Sequence, residues 1–489
     1  MHLLSKSTYM RGKQCPKALW LYKHRPELRP VVSDAQQAIF DNGTAVGLLA
    51  QQRFPGGVDC TPEDHYDYGP ALAATQAAMA AGAAVIYEAA FQHDGVLAAL
   101  DILVRDGDGW IAVEVKSATS VKEQFVADAA LQYQVITQSG VRVKAMHIMV
   151  IDTSYVRQGA IDPQRLFKLV DVTTQVRNVQ AEVAERIVQL KAVVQAAEEP
   201  VVGIGPHCKS PYTCDFKGHC WAHIPPTGSV LDLTNAQGKE WELYARGILL
   251  MADIPANEPL YTGQQRQVNG WRTGQHIVDQ EAIREWLADM RYPLHHFDFE
   301  TVMPAVPLYD GTHPYQQLPF QYSVHVQHTS GAEPMHFEHL GDGHGDPREA
   351  LVEQLLQDIG PEGDILAYNA PFERSCLHGL ARDLPHHAPA LLALAARIKD
   401  LQTPFKKGWY YAPAMDGRSS IKVVLPALVP DMSYAGLEVQ EGMAASRLFE
   451  ALLSGAFTGD VEQVRRDLLA YCGMDTLAMV KVLGVLEGV

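Results

Sequence analysis

Two acidic residues lie two positions apart in a short apolar stretch of the C-terminal half. In HHFDFETV, Asp298 and Glu300 alternate with Phe297 and Phe299, so a β-strand would place both carboxylates on one face and both rings on the other. Two carboxylates on one face repel each other unless a cation lies between them, and carboxylate oxygens are ligands for Mg²⁺ and Mn²⁺. Strands rarely bury two acids on one face without a reason, so Asp298 and Glu300 are candidate site residues.

Further acids follow on two predicted helices. In DILAYNAPFERSCL a strand runs into a helix that begins near Pro371, with Glu373 in its first turn. Taken alone, Glu373 is typical of a carboxylate that interacts with a helix dipole. The apolar stripe of the last helix includes Asp475, with Tyr471 one turn before it on the same face. A buried carboxylate needs a partner, either a buried arginine or capping group, or a metal ion shared with the strand carboxylates.

The N-terminal half contains another acidic pattern, LAALDILVRDGDGWIAVEVKS. With Gly107 and Asp108 as the two loop residues of a hairpin, facing positions sum to 215, and Asp101 lies opposite Glu114. Lys116 then lies on the same face as Glu114. The facing pair predicts a divalent ion, and Lys116 would orient water or steady the charge of a phosphorane. The alternative is an exposed strand face with an ordinary Glu–Lys pair.

Three cysteines at regular spacing, C-x5-C-x5-C, occur in PHCKSPYTCDFKGHCWAH. The segment is loop-like, and three thiols in such a loop predict metal ligands. One alternative is zinc held by the cysteines with a neighbouring histidine; the candidates are Cys208, Cys214 and Cys220 with His207, His219 or His223. Seven cysteines are too few for a disulfide scaffold, and Cys60, Cys376 and Cys472 are expected to be ordinary core or surface residues.

Strands and helices alternate in both halves, which favours an α/β protein with two α/β domains and a helical segment between them. The predicted strands are 85–91, 95–104, 110–116, 294–302, 321–328 and 364–369, and the clearest predicted helices are 71–84, 176–198 and 460–487. No run approaches the ~20 apolar residues of a membrane helix, and no secretory signal is evident, so we expect a soluble cytoplasmic protein. The net charge of -17 disfavours non-specific coating of nucleic acid, but it allows a nuclease with a local basic surface.

The N-terminal pattern resembles the PD-(D/E)XK nucleases of the RecB type. That family has an acid on one strand, E-x-K on the next and a Gln-x-x-x-Tyr helix after them. The matching residues are Asp101, Glu114, Lys116 and Gln132, with a possible earlier acid at Glu88. Ile136 stands where the family has tyrosine, although Tyr133 is adjacent to Gln132. The resemblance implies a nuclease site with Asp101 and Glu114 as metal ligands.

The iron–sulfur branch of this nuclease type, which includes the AddB helicase–nuclease and CRISPR-associated nucleases, carries one cysteine before the nuclease core and three after it. Cys15, in C-P-K, matches the first position, and the three loop cysteines match the rest. The resemblance implies a 4Fe–4S cluster held by Cys15, Cys208, Cys214 and Cys220, with a mainly structural role. Zinc remains the alternative.

The C-terminal pattern resembles the DnaQ-like exonucleases (RNase H fold) of the DEDD type with a tyrosine. In that family four acids hold two divalent ions and the tyrosine positions the attacking water. Carried over by position, the ligands are Asp298, Glu300, Glu373 and Asp475, with Tyr471 on the nucleophile. Glu373 stands where the family has Asp, and Asp400 in RIKDLQTPF is a further candidate. SSIKVVLPALVPDMSY resembles the S-x-K segment of some branches.

The ordered combination resembles a bacterial family that fuses a RecB-type iron–sulfur nuclease to a DnaQ-like exonuclease. It implies a nuclease domain over 1–224, a helical connecting segment over 225–290 and an exonuclease domain over 291–489. We therefore expect a metal-dependent nuclease that acts on single-stranded DNA or RNA with Mg²⁺ or Mn²⁺, trimming from a 3′ end in the C-terminal half. The alternatives are a nucleic-acid binding or redox-sensing module with one or both sites inactive, and a zinc-stabilised adaptor.

Overall fold

The computed structural model describes residues 3–64 and 66–489. The chain forms two compact units, Met1–His223 with Pro304–Tyr315, and Ile224–Met303 with Gln316–Val489. The first boundary lies within one residue of the expected one. The expected connecting segment, 225–290, does not form a separate unit. It belongs to the second unit because it bonds to later residues of that unit: Arg266 donates to the carbonyl of Lys407 at 3.1 Å, and the backbone amide of Gly228 donates to Asp416 Oδ1 at 3.1 Å.

The first unit is built on a seven-stranded sheet. Its strands are β1 (Leu4–Ser5), β2 (Val58–Asp59), β3 (Val85–His93), β4 (Val96–Asp106), β5 (Gly109–Val115), β6 (Val143–Ile151) and β7 (Phe167–Asp171). The order is β2-β3-β4-β5-β6-β7, with β1 parallel to β4. Strands β4 and β5 pair in an antiparallel register in which partners such as Ile102 and Val113 sum to 215, which confirms the predicted hairpin.

Helices cover this sheet and bury its apolar side chains. They are α1 (Lys6–Gln14), α2 (Pro16–His24), α3 (Asp34–Gln51), α4 (Gly69–Ala80), α5 (Glu123–Gln138), α6 (Pro163–Leu166), α7 (Thr173–Asn178), α8 (Gln180–Gln195) and α9 (Lys217–Cys220). The helical pattern predicted over 176–198 is confirmed over most of its length, but the structure divides it into two helices that meet at Val179. At this break the side-chain amide of Gln180 donates to the carbonyl of Val176, in place of the backbone bond that a continuous helix would make.

The second unit contains a five-stranded sheet and a two-stranded one. The strands are β8 (Ile277–Val278), β9 (Leu294–Val302), β10 (Leu318–Gln327), β11 (Met335–Leu340), β12 (Asp364–Ala367), β13 (Ile398–Asp400) and β14 (Tyr410–Tyr411). The larger sheet has the order β11-β10-β9-β12-β13, in which β9, β10 and β11 are antiparallel and β12 and β13 run parallel to β9. The predicted strands at 294–302, 321–328 and 364–369 are confirmed, with ends shifted by up to three residues.

The helices of the second unit cover both faces of the larger sheet. They are α10 (Lys239–Ala245), α11 (Thr262–Thr273), α12 (Gln280–Ala288), α13 (Arg348–Asp358), α14 (Pro371–Asp383), α15 (Ala388–Arg397), α16 (Thr403–Lys406), α17 (Ile421–Leu428), α18 (Gly442–Ser454) and α19 (Val461–Glu487). Phe297 and Phe299 of β9 are buried in a core shared with α13, α14 and α15. The opposite face of β9 and β10 lies under α19, where Ser323 bonds Thr476 and Gln321 bonds the carbonyl of Leu468.

Helix α19 is long and apolar enough, by length and composition alone, to cross a membrane. More than half of its apolar window, 56%, is buried inside the protein. Its apolar side chains pack under the sheet of the second unit, as in the core helix of a soluble protein.

Candidate active sites

Four carboxylates converge where β9, α14 and α19 meet. Asp298 and Glu300 point from the face of β9 opposite to the phenylalanines, Glu373 lies in the first turn of α14, and Asp475 lies on α19. We name these four residues the C-terminal acidic cluster. Glu300, Glu373 and Asp475 are buried, with exposed fractions of 7%, 1% and 7%, and Asp298 is half-buried. The structure thus brings together all four ligands predicted from the sequence.

Burial and the neighbouring negative charges raise the pKa values of the carboxyl groups in this cluster. Burial, together with the charges of Asp475, Glu373 and Glu300, raises the pKa of Asp298 well above its ordinary value. Burial and the charge of Asp475 raise the pKa of Glu300 to about 8, and burial with the nearby charge of Asp400 raises the pKa of Glu373 to about 8. Like charges in a site of low dielectric constant favour protonation unless a cation replaces the protons.

Hydrogen-bond donors surround Asp475. Tyr434 donates its hydroxyl to Asp475 Oδ1 at 2.5 Å, and Lys422 donates from Nζ to the Tyr471 hydroxyl at 3.0 Å. Burial raises the pKa of Asp475 to about 6, a smaller shift than in Glu300, because Tyr434, Lys422 and Tyr471 stabilise its charged form. Asp475 therefore has the partner that its position in an apolar stripe required.

Two of these donors were missed by reasoning from sequence. Tyr434 lies in a short 3-10 helix, Tyr434–Gly436, and Lys422 is the lysine of the S-x-K segment. That segment was the available signal for Lys422. Tyr434 is the last residue of the same quoted segment, SSIKVVLPALVPDMSY, but its separation of 41 positions from Asp475 did not indicate a bond between the two.

Glu373 retains an unused acceptor. Its Oε2 is buried and has no hydrogen-bond partner among the described residues. The candidate Asp400 lies at the end of β13 and is occupied differently, because it accepts from the backbone of Asn369 at 3.1 Å and of Gln402 at 3.0 Å. Lys406 also pairs with Asp400 at 3.4 Å. Glu373 is therefore the acid with free capacity for a metal, and Asp400 shapes the loop beside it.

Cys472, expected to be an ordinary residue, also lies at the cluster. Its thiol is 4.0 Å from Asp298 Oδ2, and the donor atoms of Asp298, Glu300 and Cys472 all lie within 4.8 Å of one another. Burial, and then the charges of Asp298, Glu300 and Asp475, raise the pKa of Cys472 well above its ordinary value. Mg²⁺ and Mn²⁺ prefer oxygen ligands to sulfur, so for these ions Cys472 is a neighbour of the carboxylates and not a competing ligand.

A second group of acids and lysines lies on the sheet of the first unit. Asp101 Oδ2 accepts from the backbone amide of Val115 at 2.5 Å, and Lys116 donates to Glu114 at 2.7 Å. Gln132 Nε2 donates to Glu114 Oε2 at 2.8 Å. These predicted residues are therefore adjacent in the structure. We name Asp101, Glu114 and Asp128, with Lys6 and Lys116, the N-terminal cluster.

Two members of the N-terminal cluster were not predicted. Asp128, on α5, accepts from Lys116 at 2.6 Å, and Lys6, the first residue of α1, donates to Glu114 Oε1 at 2.7 Å. Asp128 precedes Gln132 by one helical turn, a spacing that sequence analysis could have used. Lys6 is 108 positions from Glu114, so only folding brings it there.

The lysines decide the charge state of Glu114. Burial would raise its pKa, but the ammonium groups of Lys116 and Lys6 outweigh burial and lower the pKa well below its ordinary value. Burial, and then the charge of Glu114, raise the pKa of Asp101 well above its ordinary value. The pKa values of the two facing carboxylates are thus shifted in opposite directions, that of Glu114 down and that of Asp101 up.

Glu88 and Gln132 border this cluster. Neighbouring partners Tyr87–Ile102 and Ala89–Leu100 place Glu88 beside Asp101, and its backbone has a positive φ of 51°. Burial raises the pKa of Glu88 to about 7, against the opposing charge of Lys6. The buried Gln132 Oε1 has no partner among the described residues.

The residues near the missing tyrosine position take other roles. Tyr133 points away from the cluster, because its hydroxyl accepts from Arg177 Nε at 3.0 Å. Ile136 is fully buried in the core. No described residue of this helix therefore supplies the expected tyrosine.

The four predicted cysteines line one pocket. Cys15 is the residue between α1 and α2, and the other three lie on the loop and short helices that follow α8; the four are Cys15, Cys208, Cys214 and Cys220. All are free thiols. Backbone amides of Lys17 and Ala18 bond the sulfur of Cys15, and that of Phe216 bonds Cys214. Hydrogen bonds from backbone amides to sulfur are typical of cysteines that bind a metal.

Two comparisons with known proteins bear on these sites. Residues 295–420 match the family model described as "Domain of unknown function (DUF2779)", a segment that begins in β9 and ends just before α17. It includes three of the four acids of the C-terminal acidic cluster and ends before Asp475. The chain is also similar to "Uncharacterized protein MG366 homolog" of Mycoplasma pneumoniae (strain ATCC 29342 / M129 / Subtype 1), with 28% identity over 207 residues. The match covers 38% of this chain and 31% of that relative, so the chain spans less than a third of the relative's length.

Proposed function

We propose that the protein is a metal-dependent nuclease with two sites. The observation that carries the proposal is the C-terminal acidic cluster, in which four carboxylates from three elements meet beside a tyrosine and a lysine. Such a cluster has a high electrostatic cost without cations, and it matches what two divalent ions require. When bound, these ions would activate water and stabilise the leaving oxygen of a phosphodiester.

The residues of this cluster have separate roles in the proposal. Asp298, Glu300, Glu373 and Asp475 would hold Mg²⁺ or Mn²⁺. Tyr471 would orient the attacking water, and the ammonium of Lys422 holds the Tyr471 hydroxyl in place. Tyr434 fixes the carboxylate of Asp475 through its 2.5 Å bond. The substrate is single-stranded DNA or RNA, trimmed from its 3′ end.

The strand order supports a DnaQ-like, RNase H-type fold for the second unit. Numbered from β9, the five strands have the order 3-2-1-4-5, with the first three antiparallel and the last two parallel to the first. The first unit has the order of elements that the PD-(D/E)XK proposal requires, an antiparallel pair that carries Asp101 and Glu114, followed by a helix that carries Gln132.

The N-terminal cluster is the proposed second nuclease site. Asp101 and Glu114, with Glu88 at the border, would hold a divalent ion. Lys116 would act on the attacking water or on the phosphorane, and Gln132 would orient Glu114 through its 2.8 Å bond.

The cysteine pocket is proposed to hold a 4Fe–4S cluster. Sulfurs around one tetrahedral zinc ion, with Zn–S bonds of about 2.3 Å, lie about 3.8 Å apart. Among the described residues, sets of three or more donor atoms within 4.8 Å of one another do not include these cysteines. A wider spacing suits a cluster in which each sulfur binds a different iron.

The test uses anaerobically purified protein freed of divalent metal and incubated with 5′-labelled single-stranded DNA and RNA, with and without Mg²⁺ or Mn²⁺. Asp298→Asn removes one carboxylate charge from the C-terminal acidic cluster, and Glu114→Gln removes one from the N-terminal cluster. Both substitutions keep the size of the side chain. Matched controls are Asp467→Asn on α19 and the exposed Glu123→Gln on α5.

We expect a ladder that shortens from the 3′ end with metal, persists in both controls and disappears in Asp298→Asn. Cutting that depends on Glu114 is assigned to the first unit. Metal-dependent binding of the strand without turnover in any protein would contradict the proposal and favour a binding module.

A further inference from the structure

Three side chains of types that commonly bind metal lie together outside both acidic clusters. Glu349 lies in the first turn of α13, and His386 and His387 lie between α14 and α15. Their donor atoms all lie within 4.8 Å of one another. The side chains are accessible, with exposed fractions of 46% for Glu349, 60% for His386 and 20% for His387.

Both imidazoles are directed at the same carboxylate oxygen. The Nε2 atoms of His386 and His387 lie 2.7 Å and 2.9 Å from Glu349 Oε1. The two ring centroids are 4.2 Å apart. The adjacent histidines therefore present two nitrogens and one oxygen to a common point.

We propose that Glu349, His386 and His387 form a zinc site, with solvent as the fourth ligand. Two imidazoles and one carboxylate are a donor set that zinc takes up, with bonds of about 2.0 to 2.1 Å. In a tetrahedral site such donors lie about 3.3 Å apart, so each nitrogen must move from the carboxylate oxygen by roughly half an ångström. The exposure of Glu349 and His386 leaves room for that movement.

The arrangement has an explanation without metal, in which the histidines only hydrogen-bond Glu349. In that arrangement two adjacent rings share one carboxylate oxygen of a half-exposed side chain, and a hydrogen bond of this kind contributes only modestly to stability. A zinc ion would replace both hydrogen bonds and join α13 to the α14–α15 connection. The Arg348–Asp383 ion pair, at 2.6 Å, already joins the start of α13 to the end of α14.

The inference is independent of the nuclease proposal, and its test does not use activity. Zinc is titrated calorimetrically into the anaerobically purified full chain in excess Mg²⁺, which occupies oxygen-rich sites and competes poorly for imidazole. The variants are His386→Ala, His387→Ala and Glu349→Gln. The matched control is His378→Ala, an exposed histidine on α14.

We expect wild type and His378→Ala to bind one more zinc ion than either of the histidine variants. Glu349→Gln should bind that ion at least tenfold more weakly, because it keeps the side-chain shape but loses the charge. Zinc should also raise the melting temperature of wild type more than that of His386→Ala. Equal zinc stoichiometry and affinity in wild type and all variants would overturn the inference.

Discussion

Glu373→Gln tests whether the C-terminal acidic cluster is held under charge strain until metal binds. Glu373 is 1% exposed, and its Oε2 has no partner among the described residues. The substitution keeps the size of the side chain and removes its charge. We expect it to abolish metal-dependent hydrolysis and to stabilise the metal-free protein.

The size of the stabilisation follows from the pKa of Glu373, which burial and the charge of Asp400 raise from 4.5 to about 8. The folded state therefore binds more protons than the unfolded chain between these two values, and its stability falls as pH rises through that window. At 1.36 kcal/mol per pH unit, the cost of this group is about 4 kcal/mol at pH 7.5 and about 1 kcal/mol at pH 5.5. These are upper limits for the gain, because the new amide needs hydrogen-bond partners.

The assay is thermal unfolding in EDTA at both pH values, with the exposed Glu353→Gln on α13 as control. For a unit of this size a stabilisation of 1 kcal/mol raises the melting temperature by about 2 to 4 °C. We expect the variant to melt several degrees above wild type at pH 7.5 and close to it at pH 5.5. Mg²⁺ should raise the melting temperature of wild type more than that of the variant.

One result would refute the reasoning. If Glu373→Gln melts below wild type in EDTA at pH 7.5 and Mg²⁺ shifts both proteins equally, Glu373 is not a strained metal ligand.

Three further predictions concern other parts of the chain. Lys6→Met removes a partner of buried Glu114, so it should lower the free energy of unfolding of the metal-free first unit by about 1 to 3 kcal/mol in denaturant titrations, whereas Lys13→Met should not. Burial, and then the neighbouring His336 and His296, lower the pKa of His325 to about 3. Keeping this imidazole neutral should therefore lower the free energy of unfolding by about 2 kcal/mol at pH 5. Unfolding curves of His325→Gln should not show that loss. Cys15→Ser should lose the iron and visible absorption of anaerobically purified protein, while Cys60→Ser retains both; equal iron in the two variants would contradict the cluster.

The two acidic clusters differ in how they are neutralised without metal. In the N-terminal cluster, Glu114 has two ammonium partners at 2.7 Å. In the C-terminal acidic cluster, the lysine bonds Tyr471 instead of a carboxylate. We therefore expect metal removal to change the stability of the second unit more than that of the first.

The sequence by itself determined what depends on local periodicity. A strand repeats every two residues and a helix every 3.6, so the spacing of Asp298 and Glu300, and of Tyr471 and Asp475, already assigned each pair to one face. The hairpin turn likewise determined the register of β4 and β5, and with it the approach of Asp101 to Glu114.

Only the tertiary structure decided which distant groups complete each site. Lys6 reaches Glu114 across 108 positions, and Tyr434 reaches Asp475 across 41. Side chains such as these are placed by the packing of whole helices against a sheet, and packing leaves no periodic trace in the residues themselves. For the same reason the pKa values of Glu114 and Glu300 move in opposite directions, because burial acts on both carboxylates and only Glu114 has lysines in contact with it.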